Sequence, residues 1–198
     1  VWMRTWKVGI LLFDEVEVLD FAGPFEVFSV TRVEVETRPF DVYTVAQEKR
    51  LIRARNGLMV EPRCSFEDAP AFDILIVPGG YGAEEVEIHN RTLIDWIGAR
   101  AGETALVASV CTGAFLLAEA GLLGGRRVTT HWMDLDRLER EYPLVTVERN
   151  RRFVDEGDIV TSAGISAGID MCLHLVGRFL GAEVSQTTAK RMEYTPQA

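Results

Sequence analysis

Three uninterrupted apolar runs constrain this chain more than anything else in it: KVGILLF at 7–13, DILIVP at 73–78 and TALVASV at 104–110. None alternates apolar with polar residues, so none can keep one face in water. Each reads as a strand covered on both sides, the pattern of a parallel sheet. Parallel neighbours need crossover connections, and helical signals lie between the runs. Residues 24–30 read as a short helix with Pro24 in its first turn, and 112–120 as a helix stopped by Gly121. Residues 92–101 place Leu93, Ile94, Trp96 and Ile97 on one helical stripe. Residues 40–46 alternate as a half-buried strand, and Asn56–Gly57 marks a turn. Short strands are expected at 126–129, 144–147, 153–155 and 159–162. Helices are expected at 134–141 and 165–179, the second with a full apolar stripe, and 183–192 is a final amphipathic segment. Strands alternating with helices imply an α/β fold: a mostly parallel central sheet with helices on both faces.

At 198 residues the chain is sized for a single domain over 1–198, and can bury a core without a disulfide or metal staple. A net charge of −9 argues against a dedicated nucleic-acid binder. No stretch approaches the ~20 apolar residues of a membrane span. The apolar run near the N-terminus is short and lacks a cleavage pattern, so it is expected as a strand rather than a signal peptide. The three cysteines, Cys64, Cys111 and Cys172, form no CxxC pair. That excludes the common zinc and thioredoxin-like motifs and points to a cytoplasmic setting. Neither GxGxxG nor GxxxxGK[ST] occurs, and no HExxH, so no nucleotide, metal or other cofactor is expected.

The sharpest chemical signal is Cys111 in ASVCTG, where an apolar strand meets a helix. This is the setting of a nucleophile elbow built around a thiol. Amides at the start of the following helix would favour thiolate and draw the pKa well below ~8.5. The same context also suits a buried, inert cysteine, the common fate of a free thiol. Cys172, inside a helical apolar stripe, reads as core, and Cys64 as a loop residue without chemical neighbours. Gly79 and Gly80 close the second apolar run at the same sheet edge. With the Thr112 amide they would form an anion hole for substrate, or simply a turn.

Asp20, in EVLDFAGP, lies among Val18, Leu19 and Phe21. Partial desolvation would raise its pKa and let it act as a proton donor beside the thiol. The alternative is a helix N-cap. His131, in TTHW, follows a short strand where a pocket wall is expected to bind substrate. A Cys–His pair using His131 stays open, although the residue directly after the cysteine is Thr112.

Read together, LLFDEVEVLDFAGPFEVF, DILIVPGGYG, SVCTGAFLLAEAGLLGGRRVTTHW and DIVTSAGISAGIDMCLHLV resemble the ThiJ/PfpI superfamily, single-domain relatives of class I glutamine amidotransferases. The resemblance covers almost the whole chain and implies a flavodoxin-like three-layer sandwich, a strained elbow cysteine and a homodimer. Thr112 stands where protease-like members carry His, and Asp20 where deglycase-like members carry Glu. LDxxGP combined with SVCTG resembles the isonitrile hydratase subgroup. That likeness implies Cys111 as nucleophile, Asp20 as acid/base, Thr112 as a polar partner of the sulfur, and a lyase acting on a small molecule. The pattern also resembles the sensing half of AraC-type regulators, whose DNA-binding module does not fit in residues 181–198. Glyoxalase-like or hydrolase-like work on a reactive carbonyl, and oxidation sensing by the thiol, are further expectations from the same residues.

Overall fold

The computed structural model describes residues 4–34 and 37–197. Strand β1 spans Trp6–Leu11 and leads through a short loop into helix α1, Val18–Val30; β2 follows at Phe40–Ala46. The short pair β3 (Ile52–Arg53) and β4 (Met59–Val60) and the edge strand β5 (Cys64–Ser65) precede β6, Ile74–Val77. Helix α2, Arg91–Ala101, connects β6 to β7, Leu106–Val110, and α3, Gly113–Glu119, leaves β7. Then come β8 (Arg127–Val128), α4 (Leu135–Glu141), β9 (Thr146–Val147), β10 (Phe153–Asp155) and β11 (Ile159–Ser162). The chain ends in α5, Ala167–Leu180, and α6, Ala182–Arg191.

The main sheet has the order β10-β11-β7-β6-β1-β2-β5, parallel throughout except for the antiparallel β10–β11 pair. Its centre consists of the three apolar runs. Ile10, Ile76 and Ala108 stand in register on adjacent strands, each fully buried. The chain leaves β1 toward β2 on one side and later returns to build β6, β7 and β11 on the other. With right-handed crossovers, this reversal sends α1 to one face and α2 and α3 to the opposite one. Helices α5 and α6 pack with α1, and α2 packs with α3. The result is the flavodoxin-like α/β sandwich, with the carboxyl ends of β1, β6, β7 and β11 at one edge. No helix among the described residues is long and apolar enough to cross a membrane.

Helix α1 differs from the sequence expectation in a way that matters for the site. It begins at Val18, six residues before Pro24, which lies inside it. Proline lacks an N–H, so it cannot bond the carbonyl of Asp20 four residues back. The early start holds because the Glu17 amide is tied to the Gly79 carbonyl at 2.9 Å. Asp20 is therefore a fully buried residue of the first turn rather than a loop residue or an N-cap; Glu17 occupies the cap position. Cys64 also departs from its loop expectation. Pairing with Val45 makes it part of β5, buried, and its thiol points to the Thr44 carbonyl at 3.7 Å.

The C-terminal segment is pinned by a buried carboxylate. Asp170 on α5 accepts from Arg152, from the Tyr194 hydroxyl at 3.0 Å and from the Gln197 amide at 3.0 Å. Its side chain is 1% exposed. Asp170→Ala strands the Arg152 guanidinium and is expected to cost about 3 kcal/mol, read as a lower urea midpoint with unchanged slope.

Candidate active site

Cys111 is the first residue past β7 and sits at φ 56°, the left-handed region that L side chains rarely adopt. Holding a residue there costs ~1–3 kcal/mol, so the surroundings must fix it. They fix both ends of its backbone: its amide donates to the Ala163 carbonyl at 3.3 Å, and its carbonyl accepts from the Thr130 hydroxyl at 2.7 Å. Two glycines bring β6 against the elbow. A Cβ on Gly79 would lie 2.5 Å from the Thr112 nitrogen, and one on Gly113 would lie 2.1 Å from the Val77 carbonyl oxygen. Backbone meets backbone here, leaving nothing flexible to yield. Gly113→Ala should therefore destabilise by about 2 kcal/mol or more, against the helix-propensity gain of ~1 kcal/mol that alanine normally brings. A thermal melt showing a stabilised variant would contradict this packing.

Below the thiol lies Asp20. One oxygen, Oδ2, accepts the Gly79 amide at 3.1 Å; the other, Oδ1, is buried and makes no hydrogen bond among the described residues. Burial is the main reason its pKa rises to about 7, with the Gly79 amide pulling the other way. An unpartnered buried oxygen is costly on a carboxylate and tolerable on a carboxylic acid, which agrees with that direction. The Cys111 thiol and the Ile165 amide also interact with this carboxyl. Thr112 completes the group: its Oγ1 accepts the Gly80 amide at 2.9 Å, and its own amide and hydroxyl face the sulfur.

Two expectations are corrected at this point. The Gly79 and Gly80 amides do not form a free anion hole, because Asp20 and Thr112 already take their hydrogens. The Cys111 thiol is not depressed either. Burial pushes it up, the adjacent Asp20 charge pushes it further, and the Thr112 donors do not outweigh them. The helix beyond is only seven residues long. Cys172 is fully buried in α5, the core position expected for it.

A cavity of about 350 Å³ opens above Cys111, with Gly80, Thr112 and His131 on its walls. His131 is thus where a pocket wall was expected, but it does not pair with the thiol. Its Nδ1 accepts the Met133 amide at 3.3 Å and lies 3.6 Å from Asp134, while its ring packs on Gly164. The outer wall is Tyr81, Glu84, Met133, Asp134 and Ile165. The first two fall in the loop 81–90, from which the sequence leads one to expect pocket walls, whereas Met133, Asp134 and Ile165 were missed. Tyr81 and Glu84 border or occupy the irregular turn Gly82–Val86 directly after the Gly-rich end of β6, so their closeness to the sheet edge was the available signal. Ile165, at φ 55°, follows β11 at the same edge. Among the described residues, no group of three or more His, Cys, Asp or Glu side chains is placed to hold a metal ion.

A strained cysteine directly after β7, backed by a buried acid, agrees with the DJ-1/PfpI family, whose model matches residues 6–178. The chain belongs to the DJ-1/PfpI family. Among DJ-1/PfpI relatives, isonitrile hydratase of Pseudomonas putida is 35% identical over 190 residues, covering 96% of this chain and 79% of that protein. The HTH-type transcriptional regulator GbdR of Pseudomonas aeruginosa is 30% identical over 188 residues, 95% of this chain but only 50% of the regulator. The crystal structure of a ThiJ/PfpI family protein from Pseudomonas syringae superposes with a TM-score of 0.87 at 26% identity, over 100% of this chain and 78% of that one. The DJ-1/PfpI scaffold thus occurs both in an enzyme and in a regulator.

Proposed function

We propose that this chain is a cysteine-dependent lyase that hydrates an isonitrile to an N-substituted formamide. The observation that carries this reading is the pairing of a left-handed Cys111 with a buried Asp20 whose pKa lies about 7. Such a carboxyl can both accept and return a proton near neutrality, the property the reaction needs twice. The 35% identity to an isonitrile hydratase supports the same choice of substrate.

In the first half-reaction Asp20, as carboxylate, takes the thiol proton while sulfur forms a bond to the terminal isonitrile carbon. The proton then passes from Asp20 to that carbon, giving an S-linked thioimidate, R–N=CH–S–Cys111. In the second half, water adds to the carbon; Asp20 removes one water proton and delivers it to nitrogen. The C–S bond breaks, the remaining hydroxyl proton returns to sulfur, and the formamide R–NH–CHO leaves. Splitting the hydration this way replaces one difficult step by two easier ones. Thr112, with its hydroxyl anchored on Gly80, holds a donor beside the sulfur throughout.

The test is turnover of an aryl isonitrile by the purified protein, followed by NMR for the formyl proton. Absence of formamide across aryl and alkyl isonitriles rejects the reading. The similarity to GbdR favours a second one, a domain that binds a small molecule at this cavity without turning it over.

A further inference from the structure

We propose that the Cys111 cavity selects its substrate by charge, with Glu84 and Asp134 as the specificity-determining residues. It admits neutral and cationic head groups and turns away carboxylates and other anions. The inference rests on the cavity being the substrate site, but not on the isonitrile chemistry.

Three carboxylate side chains, Glu17, Glu84 and Asp134, line the cavity, against one guanidinium, that of Arg55. Arg55 is already committed: it bonds Glu15 at 2.7 Å. The other cation nearby, Arg137, does not line the cavity; it donates to the Glu84 carbonyl at 3.1 Å, to Glu85 at 3.4 Å and to Glu141 at 3.1 Å, and its charge offsets only part of what raises the Glu84 carboxyl. His131 accepts the Met133 amide at Nδ1 and lies 3.6 Å from Asp134. Asp20 beneath the thiol adds no positive charge. Within the lining, Glu84 and Asp134 therefore interact as like charges. The repulsion is visible in Glu84, whose carboxyl is held above its ordinary range by burial first and by the Asp134 charge second. Such an arrangement costs stability in the empty protein, and a positive ligand relieves it. An anion would add to it in a partly desolvated space, where charges act more strongly than in water. Tyr81 and Met133, both more than half exposed at the rim, offer apolar surface to the uncharged body of the same substrate.

The probes are two thiol reagents of similar size: 2-(trimethylammonio)ethyl methanethiosulfonate and 2-sulfonatoethyl methanethiosulfonate. With either, the Cys111 sulfur displaces methanesulfinate and forms a mixed disulfide, so only the head-group charge differs. Modification rates are read by intact mass, with Cys111→Ala as the blank for Cys64 and Cys172, and normalised to 2-mercaptoethanol. At low salt Cys111 should favour the cationic reagent by about tenfold or more, and this preference should shrink toward unity when salt shortens the screening length. Glu84→Gln and Asp134→Asn should each reduce the preference several-fold, while Glu84→Asp keeps it. A preference equal to that of mercaptoethanol, one unchanged in both neutral variants, or refusal of both reagents overturns the proposal. None of these readouts depends on isonitrile turnover, so failure of the hydratase reading is seen separately.

Discussion

Cys111→Ala is expected to bring formamide production down to the uncatalysed level, a loss on the order of 10⁴-fold or more, because the thioimidate route has no other nucleophile. Of the other thiols, Cys172 is fully buried in α5 and Cys64 lies at the far edge of the sheet in β5. Alanine also tolerates the fold, since the left-handed turn is imposed by backbone contacts at Ala163 and Thr130 rather than by the sulfur. Cys111→Ser is the sharper control: it preserves a donor of similar size and should be nearly as inactive, because a hydroxyl is much harder to ionise than a thiol. Activity retained in either variant would show that the thiol is not the nucleophile. A purely sensing domain behaves differently, with Cys111→Ala keeping the thermal stabilisation that a bound isonitrile provides.

Asp20→Asn separates catalysis from stability in opposite directions. Asparagine still offers an oxygen to the Gly79 amide but can neither take the thiol proton nor return it, so turnover should fall by ~10²–10⁴-fold. Stability should move the other way. The Asp20 pKa lies near 3.8 in the unfolded chain and about 7 in the folded one, so folding takes up a proton between those values. The stability linked to that proton is fully present below pH 3.8 and is lost as pH rises through about 7. The neutral variant has no such dependence. Its advantage over the wild type should grow from pH 4 to 7 and then level off, at no more than about 4 kcal/mol. Melting curves across pH measure this directly, and an unchanged or reversed pH dependence would mean that Asp20 is ionised in its buried site.

The sheet was legible from composition along the chain because a strand covered on both faces leaves an unmistakable apolar run. Cys111 was legible for a related reason: a thiol at the end of such a run has few places to go except the sheet edge. What surrounds it was harder to read. Pro24 marks a helix start in most sequences, and only the tie from Glu17 to Gly79, 62 positions apart in the chain, carries α1 back to Val18 and Asp20 into the interior. The glycine amides were correctly placed at the edge, but their partners, Asp20 and Thr112, come from other elements, so whether they stayed free for substrate was not a local property. The thiol shift was misread for the same reason: two nearby amides argue for thiolate in isolation, while burial and the Asp20 charge are tertiary facts. Glu84 lies in an irregular turn with no periodicity to announce it, and Asp134 reads only as the start of an exposed charged helix.

The raised thiol has a consequence for the life of the molecule. An unfolded or nascent chain carries Cys111 as an ordinary thiol, more ionised and more accessible than in the native protein. Folding therefore calms this cysteine, and what it gains is discrimination. In the native state it meets oxidants and electrophiles mostly as the unionised thiol, and under the proposed mechanism it passes its proton to Asp20 as sulfur bonds the substrate carbon.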